Sequence, residues 1–168
     1  MKKLLLSAFV ICLAGTSIAQ ESPLWMRHCA LSPDGTTIAF TYKGDIYTVP
    51  STGGRATPIT TNPDFDTDPV WSPDSKQIAF ASDRMGSLDV FVVSSEGGAP
   101  QRLTTHSGSE KPVAYKDNKH ILFTANIAPS AEDAGFPSGQ FQQVYEVAVT
   151  GGRPAMFSSM PMECISIN

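Results

Sequence analysis

The sequence predicts an all-β fold, a β-propeller of four-stranded antiparallel blades that is incomplete in this chain. Three observations predict it. A motif recurs about every 40 residues, which is a repeat length typical of propeller blades. Each repeat contains four short segments rich in β-branched and aromatic residues, separated by turn residues. No stretch beyond the first 20 residues shows helical periodicity over the length that a helix needs.

The composition is that of an ordinary globular domain. The chain has 168 residues, of which 41% are hydrophobic and 17% charged, enough for one domain and hardly two. A net charge of −4 provides no basic surface of the kind that binds nucleic acid. Composition also excludes a collagen, a disulfide-dense mini-protein and a multi-pass membrane protein, but it does not indicate a function.

The first element is a predicted signal peptide over residues 1–19. A short basic start is followed by an apolar run over residues 4–14, and small residues Ser17 and Ala19 then precede Gln20. The run is shorter than the roughly 20 residues that span a bilayer. No cysteine follows the small residues, which disfavours a lipid anchor. We expect a bacterial Sec-type signal, cleavage between Ala19 and Gln20, and a periplasmic or secreted protein without a membrane span.

The clearest repeated element is a turn. Ser32-Pro33-Asp34-Gly35 recurs as Ser72-Pro73-Asp74-Ser75 and, degraded, as Tyr115-Lys116-Asp117-Asn118. Proline presets φ at the second turn position, and Asp and Gly tolerate the tight reversal. We therefore expect Asp34 and Asp74 to bond neighbouring backbone N–H groups rather than to form a pair of functional acids.

Each repeat is predicted to contain four strands, and a glycine pair makes the reversal before the fourth. The first strands are expected at Cys29–Leu31, Pro69–Trp71 and Pro112–Ala114, and the second at Ile38–Tyr42, Ile78–Ser82 and Ile121–Ala125. The third strands are expected at Ile46–Val49, Val90–Val93 and Val144–Val149, and the fourth at Thr57–Thr60, Gln101–Thr104 and Ala155–Ser158. The residues expected to pack between blades are Ile38, Phe40, Ile78, Phe80, Val90 and Phe91.

The predicted propeller occupies residues 20–168. Its blades are expected at about 28–61, 68–105 and 111–159, and residues 162–168 align with the start of a fourth blade. Propellers close with four to eight blades. We therefore expect this chain to be the N-terminal piece of a longer protein. We expect an open arc to be marginally stable and prone to associate into homo-oligomers, because an unpaired strand edge can pair with a strand of another copy.

The repeats resemble the TolB-like propeller repeat, which also occurs in tricorn-type serine peptidases and in relatives of prolyl oligopeptidase. The WD dipeptide of the other common propeller repeat is absent, since Met26 follows Trp25 and Ser72 follows Trp71. Leu24-Trp25-Met26-Arg27 and Phe80-Ala81-Ser82-Asp83-Arg84 look most similar to exported tricorn protease homologues of bacteria.

The resemblance implies a propeller that filters peptides or unfolded protein segments and guides them to downstream domains of the same chain. In such proteins a PDZ-like module and a serine-peptidase domain follow the propellers, so the catalytic residues would lie beyond Asn168. One alternative is a TolB-like periplasmic propeller that only binds proteins, although TolB is expected to begin with a separate α/β domain. A second alternative is the propeller cap of a prolyl-oligopeptidase relative.

No catalytic, cofactor or metal residues are predicted in this chain. It has no Gly-x-Ser-x-Gly, His-Glu-x-x-His or Ser-x-x-Lys motif and no phosphate-binding glycine loop. The histidines His28, His106 and His120 occupy different repeat positions. Cys29 and Cys164 either form one disulfide or are two small buried side chains, and we favour burial.

Three segments are candidates for binding. The third repeat carries an insertion over residues 126–140, expected on the face that meets a substrate or partner, or else a tolerated surface loop. The acids in Asp64–Asp68 alternate as in a calcium loop, but Pro69 and Ser75 replace the Gly and Glu of an EF-hand, which favours a solvated connector. In Ser82-Asp83-Arg84 the guanidinium is a candidate ligand for a peptide carboxylate, although a structural ion pair is favoured.

Overall fold

The computed structural model describes residues 25–106, 108–126 and 142–158, and these residues form strands and turns without a helix. No segment of these ranges is a helix with the length and apolar character needed to cross a membrane. The signal peptide, its cleavage site at Ala19 and Gln20, Cys164, the start of a fourth blade and nearly all of the insertion lie outside the described residues.

Twelve strands form three four-stranded antiparallel sheets, each with its strands in chain order. The all-β prediction and the incomplete propeller of four-stranded blades are therefore confirmed. Blade 1 contains β1 (Arg27–Leu31), β2 (Thr37–Tyr42), β3 (Asp45–Pro50) and β4 (Thr57–Pro58). Blade 2 contains β5 (Asp66–Trp71), β6 (Gln77–Ser82), β7 (Asp89–Ser94) and β8 (Gln101–Arg102). Blade 3 contains β9 (Glu110–Asp117), β10 (His120–Ala125), β11 (Gln143–Ala148) and β12 (Ala155–Ser158).

The repeated turns fold as their residue types predict. The Asp34 carboxylate accepts hydrogen bonds from the Thr36 N–H at 2.9 Å and from the Ser32 hydroxyl at 2.6 Å, and these bonds lower its pKa. Asp74 accepts the equivalent bonds in blade 2. The glycine pair after β3 has φ of +90° and +131°, a backbone region that favours glycine. These acids therefore stabilise turns and do not form a functional pair.

The hydrophobic core lies between the blades. One cluster joins blades 1 and 2, and a second joins blades 2 and 3. Among the predicted core residues, Phe40, Ile78, Phe80, Val90 and Phe91 are buried. The first cluster contains Ala39, Ile46, Ile59, Trp71, Ile78, Phe80, Phe91 and Val93, and the second contains Ala79, Val90, Val92, Leu103, Ile121, Phe123, Ala125, Tyr145 and Val147.

Two burial predictions fail in blade 1. Ile38 is only half-buried, because its cross-strand row with Leu31 and Val49 faces away from blade 2 and no described strand covers it. Cys29 is an exposed free thiol rather than a buried side chain. It lies in the β-bulge of β1, where the register shifts opposite β2, and the sequence carries no sign of that bulge.

Candidate functional site

The first strands of the three blades converge. β1, β5 and β9 each lie at one edge of their sheet, and β5 contacts both β1 and β9. In a propeller the strands that meet in this way surround the central axis. Polar side chains on these strands therefore border the path that a ligand would follow along the axis.

A single carboxylate joins all three blades at this position. Asp68 Oδ1 lies 2.6 Å from His28 Nδ1 of blade 1, and Asp68 Oδ2 lies 3.2 Å from Lys111 Nζ of blade 3. His28 and Asp68 have φ of +51° and +54°, an uncommon conformation for residues other than glycine. The His28 and Lys111 side chains are 44% and 45% exposed, so Lys111 presents ammonium donors and His28 presents its second ring nitrogen to the solvent.

Arg84 is occupied at the junction between blades 1 and 2. Its guanidinium bonds both oxygens of the buried Asp66 at 3.0 and 3.1 Å, and also Asn62 and Ser82. It lies 4.5 Å from the ring centroid of Phe91. The favoured structural ion pair is therefore present, although its acid is Asp66 and not the neighbouring Asp83. With Nε and Nη2 engaged and only 15% of its side chain exposed, Arg84 is poorly placed to bind a peptide carboxylate.

The acids that suggested calcium have other roles. Asp66 and Asp68 belong to β5, where the first binds Arg84 and the second binds His28 and Lys111. The favoured interpretation, a solvated connector, is wrong for these two residues and fits the exposed Asp64. Within the described ranges no three His, Cys, Asp or Glu side chains are placed to hold a metal ion.

The junction between blades 2 and 3 contains two fully buried acids, Asp89 and Glu110. Arg102 Nη2 lies 2.9 Å from Asp89 Oδ2. Burial raises the pKa of Asp89, and Arg102 opposes the rise. Burial also raises the pKa of Glu110; the neighbouring Thr104 hydroxyl opposes this rise, and the Asp89 charge adds to it. Neither Glu110 oxygen has a partner with hydrogen-bond geometry among the described residues.

The other two histidines lie in separate environments. His106 is exposed and accepts the Gly108 N–H at 3.0 Å. His120 Nδ1 lies 3.0 Å from Asp117 in the turn of blade 3. The three histidines are therefore distributed over separate parts of the arc, as their repeat positions predict.

Sequence reasoning missed a groove of about 390 Å³ between blades 1 and 2, on the side of the Ser-Pro-Asp turns. Hydroxyl residues of both blades line it, with Trp71 and Ile59 between them. Arg55 of blade 1 and Glu96 of blade 2 add opposite charges. Sequence reasoning also missed the buried acids. The signal that could have found them is an acid at the same two positions of successive repeats, Asp45 with Asp89 and Asp66 with Glu110.

Comparison with known proteins identifies the family. Residues 23–168 match the family model described as the Tricorn protease N-terminal beta propeller domain. The chain belongs to this family. The match covers all the described strands, so the three blades are part of a tricorn N-terminal propeller domain.

Two curated relatives of this propeller are named as peptidases or their homologues. The chain is 33% identical over 108 residues to "Uncharacterized peptidase YuxL" of Bacillus subtilis, covering 57% of this chain and 16% of that protein. It is 39% identical over 77 residues to "Tricorn protease homolog 1" of Streptomyces coelicolor, covering 46% of this chain and 7% of that protein. The chain thus matches only a small part of each relative's length.

The tricorn-type propeller also has the fold of a solved TolB structure. Putative TolB from Agrobacterium tumefaciens superposes with a TM-score of 0.66 at 22% identity, covering 79% of this chain and 49% of that protein. At this identity the likeness concerns the fold alone. It is consistent with the resemblance of the repeats to those of TolB.

Proposed function

We propose that this chain is the N-terminal propeller segment of an exported tricorn-like serine peptidase, and that it guides peptides to a catalytic domain elsewhere in the protein. The observation that carries the proposal is the match of residues 23–168 to the tricorn N-terminal propeller family. The peptidase named among its curated relatives supports the same activity. The signal-like pattern of residues 1–19 supports export.

The first strands of the three blades, β1, β5 and β9, supply groups that can bind and orient a peptide. His28 and Lys111 are partly exposed, and each is held from one side by Asp68. The other ammonium donors of Lys111 can contact carbonyl or carboxylate oxygens of an extended peptide, and His28 Nε2, an acceptor in the neutral ring, can contact a peptide N–H. Because Asp68 connects three blades, these groups are held in position relative to one another. The propeller contributes selection and orientation in this account, and bond cleavage belongs to the catalytic domain.

The alternative is a TolB-like propeller that binds a periplasmic protein without cleaving it. The likeness of fold to a TolB structure is consistent with this candidate. The propeller cap of a prolyl-oligopeptidase relative is a further alternative from the resemblance of the repeats. All three candidates share the blade architecture and differ in the domains that accompany the propeller.

The test is a cleavage assay on the native full-length protein with a quenched-fluorescent peptide library and with a serine-directed fluorophosphonate probe. We expect peptide cleavage that the probe abolishes, covalent labelling outside residues 1–168, and a mature N-terminus at Gln20. The double variant His28→Ala, Lys111→Ala should raise KM several-fold for long peptides and leave cleavage of a dipeptide-sized substrate unchanged. Peptide binding without labelling or cleavage would favour the TolB-like alternative instead.

A further inference from the structure

Successive blade junctions share one arrangement of acids but differ in their cations. Asp45 and Asp66 lie at the first junction, and Asp89 and Glu110 hold the corresponding repeat positions at the second. In each case the second acid is the first residue of a strand and is fully buried. The two junctions therefore need comparable compensation of buried negative charge.

The first junction obtains that compensation from Arg84. The guanidinium bonds both oxygens of Asp66 and lies over the rings of Phe80 and Phe91. Arg84 follows two residues after Ser82, which pairs with Asp66 in the sheet. The buried Asp66 carboxylate therefore has a cation in direct contact with both of its oxygens.

The second junction keeps the rings and the acid, but no described residue supplies a corresponding cation. Phe123 and Tyr145 stack at 5.7 Å, as Phe80 and Phe91 do at 5.9 Å. Ala125 pairs with Glu110, and the residue two positions later in the sequence is an isoleucine. No Lys, Arg or His occurs in the sequence from 127 to 141.

The charged and titratable groups near Glu110 do not replace Arg84. Arg102 of β8 is paired with Asp89 of β7 at 2.9 Å. His106, in the connection after β8, is exposed, and its charge when protonated only opposes the effect of burial. Lys111, the next residue of β9, pairs with Asp68. Two buried carboxyl groups thus share one cation, and both cannot be ionised without an uncompensated charge.

We propose that the buried Glu110, which contacts no cation among the described residues where Asp66 contacts Arg84, is held in the folded arc as the neutral acid, and that its ionisation loosens blade 3 from blade 2. The junction is then a pH-sensitive joint within the arc. The joint between blades 1 and 2 differs, because Arg84 contacts both oxygens of the buried Asp66, and its other acid, Asp45, is only half-buried. Loosening would be local to the contact of β9 with β6 and β7 and would leave the strand pairing inside each blade intact.

The direction of the pH effect follows from the raised pKa of Glu110. Its ordinary value is 4.5, and the folded state holds the proton to higher pH than the unfolded state does. The contribution to stability is fully present below pH 4.5 and is lost as pH rises through the folded pKa. Asp89, whose pKa is also raised by burial, adds to the effect in the same direction.

Two matched variants test the proposal, Glu110→Gln and Asp66→Asn in the full chain. Thermal unfolding midpoints would be measured from about pH 4.5 to pH 9. Glu110→Gln should leave the midpoint near pH 4.5 almost unchanged and raise it by about 4 °C or more at pH 9. Asp66→Asn should lower the midpoint at every pH, because Arg84 loses its acid. If Glu110→Gln lowered the midpoint at pH 9 as Asp66→Asn does, Glu110 would be a compensated carboxylate and the proposal would be wrong.

A direct titration of Glu110 tests the proposal without relying on the stability of the variants. The side-chain carboxyl carbon of Glu110 would be followed by NMR in the unmodified protein, assigned with the help of Glu110→Gln. We expect a titration midpoint well above the ordinary glutamate value of 4.5. Amide hydrogen exchange of β9, corrected for intrinsic rates, should accelerate above the same midpoint. A midpoint at or below the ordinary glutamate value would overturn the proposal.

Discussion

Single side chains at the blade junctions decide how buried charge is tolerated. Arg84 brings five donors and a flat face to one place, where Asp66, Ser82, Asn62 and the Phe91 ring use them together. Its side chain is only 15% exposed and Asp66 is fully buried, so solvent cannot take over the role of either partner. A buried ion pair of this kind need not stabilise the protein more than apolar side chains in its place would. Removing one partner is nevertheless strongly destabilising, because the other charge stays buried.

Replacing Arg84 with alanine should therefore destabilise the protein by about 3–5 kcal/mol, because the Asp66 carboxylate would remain buried without its cation. The measurement is the free energy of unfolding from urea denaturation. Arg55→Ala is the matched control, since Arg55 is exposed and has no ion pair within the described part of the chain. A loss of similar size in both variants would show that the buried pair contributes nothing special.

At the scale of elements, the first strands of blades 2 and 3 pack on the preceding blade. Trp71 at the end of β5 is buried in the cluster between blades 1 and 2, and its indole N–H donates to the Ala30 carbonyl at 3.0 Å. Leu31 holds the equivalent place in blade 1 and is 59% exposed, because no described strand precedes blade 1. The same repeat position is therefore core in one blade and surface in another.

Trp71→Phe keeps most of the ring packing and removes the indole donor. It should cost about 1 kcal/mol for the lost hydrogen bond, plus a further amount for the smaller ring. Unfolding in urea measures the change, and Trp25→Phe is the control because Trp25 is 63% exposed. No difference between the two variants would mean that the bond between the blades carries no net stabilisation.

The turns, the strand order and the core between blades were predictable from the sequence, because each depends on local residue types or on the alternation of side chains between the two faces of a strand. The Asp34 turn follows from Pro, Asp and Gly in sequence, and Phe80 recurs at the position of Phe40. The pairing of Asp66 with Arg84 was not predictable, since the two lie 18 residues apart and meet only when the sheet forms. Burial of Cys29 was mispredicted, because the residue lies in a bulge and no described strand covers it.

At the scale of the whole molecule, the described arc leaves large apolar side chains exposed at both ends. Leu31, Met26 and Trp25 are exposed in or beside blade 1, and Phe157 is 49% exposed in the last strand of blade 3. In blades 1 and 2 the residues equivalent to Phe157, Ile59 and Leu103, are buried by the next blade. These surfaces have the character of blade faces that another sheet would cover.

Residues 20–168 expressed alone should therefore self-associate, since exposed apolar faces and open strand edges favour contact between copies. Light scattering after gel filtration over a range of concentrations measures it. Leu31→Lys should reduce association, whereas Met85→Lys, at an exposed turn position away from the end of the arc, should not. A monomer at all concentrations with one cooperative melting transition would contradict this prediction.

The most direct test of the proposed peptidase propeller is the length of the reading frame beyond codon 168, compared with the intact mass of the native protein. The account predicts a frame that continues through further repeats into a PDZ-like and a serine-peptidase region, and a mass that includes them. A frame that ends once the ring of blades is closed, with a mass to match, would contradict it and leave a binding propeller without peptidase activity.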